Sequence, residues 1–236
     1  MPRVSRNERD KYGFANLRDE QIVKAREIYY GMVRYVDGLI GEILAKLDEL
    51  GLRENTIVLY TSDHGELAGE HGLWYKNSYY EASVRVPHVW SFPKVLPQGA
   101  TVSTPTMNMD ILPTLCDLCG LDKPEGLEGA SLLPLMLGQE DGKDRVAFSE
   151  NFRGGMPSRM IRTDRWKYCY YVDDIEQLFD MREDPEETVN LVDRPEHREL
   201  VAALKAQALE GWDYKAYLAR KRELAKAGAL SSEGEE

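Results

Sequence analysis

The chain has 236 residues, enough for one or two domains with a sizeable core. It carries 30 Lys and Arg against 41 Asp and Glu, a net charge of −11, which argues against non-specific nucleic-acid binding because that needs a basic footprint. No apolar run approaches the roughly 20 residues of a bilayer span, Met1–Glu8 lacks the apolar stretch of a signal peptide, and three cysteines make no disulfide framework. Part of the acidity sits in the tail Ser231-Ser232-Glu233-Gly234-Glu235-Glu236. An anionic substrate would have to be held by a local basic site against an unfavourable overall field.

Residues 1–18 are charged and irregular and read as a loose lead-in. From Asp19, placed to serve as N-cap, a long helix is predicted. Ile22, Ala25, Ile28, Tyr29, Met32, Val33, Val36, Leu39, Ile40, Ile43, Leu44, Leu47 and Leu50 recur at three and four residues. They form one broad apolar face, read as core packed on a sheet. Gly51 stands where a left-handed stop belongs. Thr56 to Tyr60 is β-branched, apolar or aromatic and reads as a strand. It ends in Ser62-Asp63-His64-Gly65. Past the strand the pleat breaks, so an acid and an imidazole next to each other can converge on one metal ion. By itself such a turn can equally do no more than cap the next helix.

Residues 65–86 read as a loop and a short helix, of the kind that carries function on a rigid scaffold. His88 to Pro93 is a short strand, with His88 a satisfied core histidine, and Thr101 to Thr106 is a candidate second strand. Asn108 or Asp110 caps a helix that has Pro113 in its first turn and ends at Gly120. Within it, Cys116-x-x-Cys119 is half a zinc or redox site, or two small core residues one turn apart; the second reading is preferred because no second pair exists. Asp122 to Gly142 is rich in Pro and Gly. Beyond Arg145, the runs Val146–Glu150, Ser158–Thr163, Trp166–Val172 and Gln177–Phe179 predict a small antiparallel sheet with turns at Thr163-Asp164-Arg165 and Asp173-Asp174. Pro195 to about Ala227 predicts a final, highly charged helix. The expected domains are 1–144 and 145–236.

Three stretches carry a family resemblance: Ser62-Asp63-His64-Gly65, then Gly69-Glu70-His71-Gly72-Leu73-Trp74-Tyr75-Lys76, then Glu81-Ala82-Ser83-Val84-Arg85-Val86-Pro87. In this order and spacing they resemble the sulfatases of the alkaline phosphatase superfamily (arylsulfatase, choline-sulfatase and iduronate-sulfatase-like). The likeness continues through Gly129–Leu135, Arg162–Tyr168, Leu178–Met181 and Asp184-Pro185-Glu186-Glu187 to Asn190-Leu191. It implies an α/β fold, with an alkaline-phosphatase-like sheet and flanking helices, then a small C-terminal antiparallel sheet and a terminal helix. It implies metal-assisted hydrolysis of a sulfate ester, on a small molecule or a sulfated sugar.

By this resemblance Asp63 and His64 are metal ligands. Lys76 is catalytic, pairing with a sulfate oxygen and with charge developing on the leaving group; without the resemblance it reads as a snorkelling surface lysine among aromatics. His71 orients the loop or lines the substrate pocket. The metal implied is calcium, although the nitrogen of His64 suits manganese or zinc better.

The family's nucleophile, a Cys or Ser in Cys/Ser-x-Pro-x-Arg oxidised to formylglycine, has no counterpart in this sequence. Cys116, Cys119 and Cys169 are followed by Asp-Leu, Gly-Leu and Tyr-Tyr. The family's N-terminal Asp-Asp pair is also missing. The resemblance therefore covers the family's C-terminal portion. It leads to the expectation that this chain alone is inactive and needs a complementary N-terminal chain or segment, or else self-associates, with neither nucleic acid nor membrane as partner. The rival readings are a phosphodiester or phosphonate monoester hydrolase of the same superfamily, and a non-catalytic binding or assembly module.

Overall fold

The structure is a computed structural model that describes residues 1–152 and 156–226. The acidic tail and the expected end of the last helix at Ala227 lie outside the described residues. The chain divides into two compact units: Arg9–Lys76 with Tyr80–Lys143, called here the central unit, and Met1–Glu8 with Asn77–Tyr79 and Asp144–Glu236, the C-terminal unit.

The first residues are not a loose lead-in. Arg3–Lys11 is a helix, α1, and its Val4, Ser5 and Glu8 are buried. A charged sequence hid this because only one narrow side of a nine-residue helix is covered.

In the central unit the long helix, α2, runs Asp19–Glu49. Arg18 holds the N-cap position and Asp19 is the first helical residue. The Arg18 N–H donates to Gln21 Oε1 at 3.0 Å, the reach-back half of a capping box. At the other end Gly51 is left-handed (φ 64°). Its N–H meets Asp48 O and the Leu52 N–H meets Leu47 O, each at 3.0 Å, which is a Schellman stop.

The apolar face of α2 is not core. No residue of the helix is buried. Ile22, Ala25, Ile40, Leu44 and Leu47 are half-covered, whereas Ile28, Met32, Val33, Val36, Leu39 and Ile43 are exposed. The reason is one of size. A 31-residue helix is ~46 Å long. The sheet of this unit has two antiparallel strands, β1 (Val58–Thr61) and β2 (His88–Ser91), and four residues of strand span only ~13 Å.

Thr61 pairs with His88 in that sheet. His88 is only partly satisfied: Nδ1 lies 3.3 Å from Thr106 Oγ1, while Nε2 is buried with no hydrogen-bond partner among the described residues. Burial pushes its pKa below the ordinary imidazole value. Residues 101–106 form no strand; Pro105 offers no N–H to a ladder. Helix α4 (Ile111–Cys119) ends at left-handed Gly120. Cys116 is buried and Cys119 exposed. Ahead of this helix Asp110 is fully buried and accepts the Met107 N–H at 2.8 Å and the Ala130 N–H at 2.9 Å. It thereby draws the Pro/Gly-rich segment back toward α4.

Where β1 ends, the chain passes very close to helix α3 (Glu81–Val84). The Gly65 N–H donates to Ser83 O at 2.7 Å. A Cβ on Gly65 would lie 2.0 Å from Ala82 O, so only glycine fits.

The C-terminal unit holds a four-stranded antiparallel sheet in sequential order: β3 (Ala147–Asn151), β4 (Ser158–Arg162), β5 (Trp166–Tyr171) and β6 (Gln177–Asp180). These are the four predicted strands. Helix α5 (Arg198–Leu209) covers one face, where Ile161, Tyr168 and Leu178 pack with Leu204 and Ala208. The final helix is two helices. Left-handed Gly211 breaks it, and Asp213 Oδ1 accepts the Ala216 N–H at 2.9 Å to cap α6 (Tyr214–Lys226).

Two motifs close the sheet. Asp184 accepts from the Thr188 hydroxyl and from the Val189 N–H, while Asn190 accepts from the Leu178 N–H and donates to Glu176 O. Under them lies an ion pair. Lys167 Nζ is 2.7 Å from Glu187 Oε1, with side-chain exposures of 0% and 2%. Lys167 also donates to Tyr79 O at 2.8 Å.

Lys167→Met is expected to cost about 3–5 kcal/mol, because it takes the ammonium away from a buried carboxylate, and adding Glu187→Gln should restore much of it; chemical denaturation of the three proteins measures this. Gly65→Ala should cost roughly 1–3 kcal/mol through the clash with Ala82 O. By contrast Gly51→Ala, with nothing within 4 Å, should cost about 1 kcal/mol for its left-handed backbone alone. Equal losses at the two glycines would contradict the close approach at Gly65.

Candidate active site

Strand β1 delivers Ser62 to a turn held by its own side chains. The Ser62 hydroxyl donates to His64 O at 2.8 Å, and Asn108 Nδ2 donates to Ser62 O at 2.9 Å. Asp63 Oδ1 accepts the His64 N–H at 3.0 Å. That backbone bond is the main reason the Asp63 carboxyl is held below its usual pKa, with the His64 ring adding to it. The carboxylate is therefore fully ionised at neutral pH while remaining 84% exposed.

The imidazole is oriented by its neighbour. His64 Nδ1 lies 2.8 Å from Gly65 O. A carbonyl only accepts, so Nδ1 carries the hydrogen, and in the neutral ring Nε2 keeps its lone pair. A backbone carbonyl on one ring nitrogen is the usual way of aiming the other at a metal. His64 Nε2 is 3.5 Å from Asp63 Oδ2. One carboxylate oxygen and one imidazole nitrogen are thus close neighbours, a donor set that fits a divalent cation. It is a partial set: among the described residues no group of three or more His, Cys, Asp or Glu stands where it could hold an ion.

Ser83 links this turn to Lys76. It is buried in α3. Its carbonyl takes the Gly65 N–H at 2.7 Å, and its hydroxyl donates to Lys76 O at 2.5 Å. The Lys76 side chain is exposed. One residue thereby ties the backbones at Gly65 and Lys76 together, eleven positions apart in the sequence.

The loop between them is tightly folded. Glu66 Oε1 accepts the N–H groups of Ala68 (3.0 Å) and Tyr75 (2.8 Å). The Leu67 N–H meets Tyr75 O, and the Gly69 N–H meets Leu73 O, both at 2.8 Å. Leu67 and Leu73 are buried beneath it. Ala68, His71 and Tyr75 all have positive φ (47°, 52° and 65°). Side chains other than glycine rarely adopt that backbone, and it persists only where the surroundings over-determine it. Arg26 of α2 supplies one such restraint, donating Nε to Ala68 O at 2.7 Å. His71 lies flat on the Tyr80 ring, 3.7 Å between centroids and 8° between planes, so its orientation is set by stacking.

All four residues singled out in the sequence thus lie in the central unit, on or beside one restrained loop. Sequence reasoning assigned nothing to Ser83, Glu66 or Arg26. For Ser83 a signal existed: Ala82-Ser83 offers small side chains within reach of an obligatory glycine. For Arg26, on a helix 42 residues away from its partner, no local pattern could have revealed it.

Comparison with known proteins shows which family the chain resembles in sequence and fold. The family model described as "Sulfatase" matches residues 2–121, and that described as "N-sulphoglucosamine sulphohydrolase, C-terminal" matches 69–212. A choline-sulfatase of Rhizobium meliloti (strain 1021) is 34% identical over 211 residues, covering 87% of this chain and 41% of its own length. A solved protein in complex with its substrate D-glucosamine-2-N,6-O-disulfate superposes with a TM-score of 0.70 at 31% identity, covering 76% of this chain and 38% of its own. The phosphonate monoester hydrolase of Agrobacterium radiobacter superposes with a TM-score of 0.74 at 31% identity, covering 81% and 42%. The chain spans about two-fifths of the length of these relatives. Since each family model covers more than half of its residues and the fold agrees, the chain belongs to the sulfatase family of the alkaline phosphatase superfamily.

Proposed function

We propose that this chain forms the metal-turn and lysine part of a sulfuric ester hydrolase acting on a sulfated small molecule or sugar. The observation that carries the reading is the pairing of His64 Nε2 with Asp63 Oδ2 at 3.5 Å, on a turn that Ser83 ties to Lys76. Family membership and the sulfated sugar bound to a structural neighbour support the same substrate class.

In this reading Asp63 and His64 hold one side of a divalent cation, calcium by family resemblance, with manganese or zinc also suited to the imidazole nitrogen. Such an ion supplies Lewis acidity toward the sulfate oxygens. Lys76 places its ammonium on a sulfate oxygen and neutralises charge on the leaving oxygen. His71, held flat on Tyr80, borders the substrate. The formylglycine nucleophile and the paired acids come from polypeptide beyond these 236 residues, since no Cys-x-Pro-x-Arg or Ser-x-Pro-x-Arg occurs among them. The same polypeptide covers the open stripe Ile28, Met32, Val36, Leu39 and Ile43 of α2.

A second reading, hydrolysis of a phosphonate monoester, is favoured by the 0.74 TM-score to an enzyme of that activity. The two substrates share a tetrahedral anionic head, which the turn and Lys76 meet alike.

Two measurements test the proposal. Calorimetric titration with calcium, then manganese, should show binding that weakens about tenfold or more in Asp63→Ala and in His64→Ala. Unchanged affinity in both variants would remove the turn from the metal site. Hydrolysis of an aryl sulfate and of a phosphonate monoester should be undetectable with the folded chain alone. Metal-dependent turnover lost in Asp63→Ala would instead make the site self-sufficient, and the preferred ester would decide between the two readings. Folded protein that binds neither metal nor ester would point to an assembly module.

A further inference from the structure

We propose that the buried pair Lys167–Glu187 is a positioning device for Lys76; this rests on the reading that Lys76 holds the substrate's anionic head. The segment Asn77–Tyr79 directly follows Lys76 in sequence, yet it belongs to the C-terminal unit. It is pinned there at both ends. Asn77 Nδ2 donates to Glu8 Oε1 at 2.6 Å. The Tyr79 hydroxyl meets Ser158 Oγ at 3.0 Å, and Tyr79 O accepts Lys167 Nζ at 2.8 Å. Ser78, between them, is buried, as is Tyr79.

Stability alone does not call for two charges at this place. Apolar residues of similar volume are often neutral or stabilising in place of a buried ion pair. What the ammonium does that an apolar side chain cannot is donate to the Tyr79 carbonyl. Glu187 keeps that ammonium charged and aimed, at 2.7 Å and 2% exposure. Consecutive Cα atoms are about 3.8 Å apart, so the anchor at Tyr79 lies within three short links of Lys76. On its other side Lys76 is held through its carbonyl by Ser83. The carbonyl of Lys76 is thus held by Ser83, and the three residues that follow it in sequence are held by Glu8, Ser158 and Lys167. Lys167 has no part in the chemistry; it sets where the backbone of Lys76 sits.

The test is the affinity of the purified chain for inorganic sulfate, by calorimetry, with amide hydrogen exchange at residues 77–80. The expected result is about tenfold weaker sulfate binding and faster exchange in folded Lys167→Met/Glu187→Gln. Arg165→Gln, which breaks the Asp180 pair of the same unit without touching 77–79, should leave both unchanged. Wild-type affinity in the double variant, or an equal loss in Arg165→Gln, overturns the proposal. If the double variant does not fold, Asn77→Ala cuts the Glu8 tether of the same segment: weaker sulfate binding supports the proposal and wild-type affinity overturns it. Equal sulfate affinity in the wild type and Lys76→Ala defeats the Lys76 reading itself, and this inference with it.

Discussion

The close passage of Gly65 beneath Ala82 and Ser83 is the constraint on which the site depends. No side chain larger than hydrogen fits there, because a Cβ would meet Ala82 O at 2.0 Å. The absence of that carbon lets the Gly65 N–H reach Ser83 O, and Ser83 in turn reaches Lys76. A turn bearing an acid and an imidazole is thereby joined to a lysine that sequence alone leaves on a separate stretch. Under the proposed function this tie keeps the Lys76 backbone near the turn, and groups already in place need less reorganisation during reaction.

The restraints are distributed over the loop rather than concentrated at one point. Three non-glycine residues hold left-handed backbone between positions 68 and 75. Each costs of order 1–3 kcal/mol. The restraints visible around them are the two bonds to Glu66, the Arg26 bond to Ala68 and the buried Leu67 and Leu73. The C-terminal unit adds its own hold on the next three residues through Lys167, Ser158 and Glu8. This sheet is thus structural in itself and also the support of residues that directly follow Lys76.

The central unit presents the opposite situation. Its two-strand sheet leaves most of α2 uncovered, and among the described residues its turn sets one carboxylate beside one imidazole without a third such group. Both features fit a chain that spans about two-fifths of the length of its relatives. Hydrophobic stripes are normally covered because exposed apolar surface is costly at roughly 25 cal/mol per Å². The stripe and the partial ligand set are consistent with one another under the proposed function, in which further polypeptide completes both.

Local patterns in the sequence determined a great deal. Alternation and turn residues placed all four strands of the C-terminal sheet, because strand pairing there follows sequential hairpins. Gly51 and Gly120 marked two helix ends because left-handed backbone suits glycine. Asp63, His64, His71 and Lys76 stood out through the resemblance of their stretches to the sulfatases. Periodicity misjudged α2, since it reports that a helix has an apolar face and not whether anything covers it. It also missed α1, whose buried side is three residues wide, and the break at Gly211. Only the tertiary structure decided which distant groups meet: Ser83 with Gly65 and Lys76, Arg26 with Ala68, Lys167 with Tyr79 and Glu187. The physical reason is that strand and helix patterns arise from neighbours along the chain, whereas these contacts depend on hydrogen-bond partners brought together by packing, which no local spacing encodes.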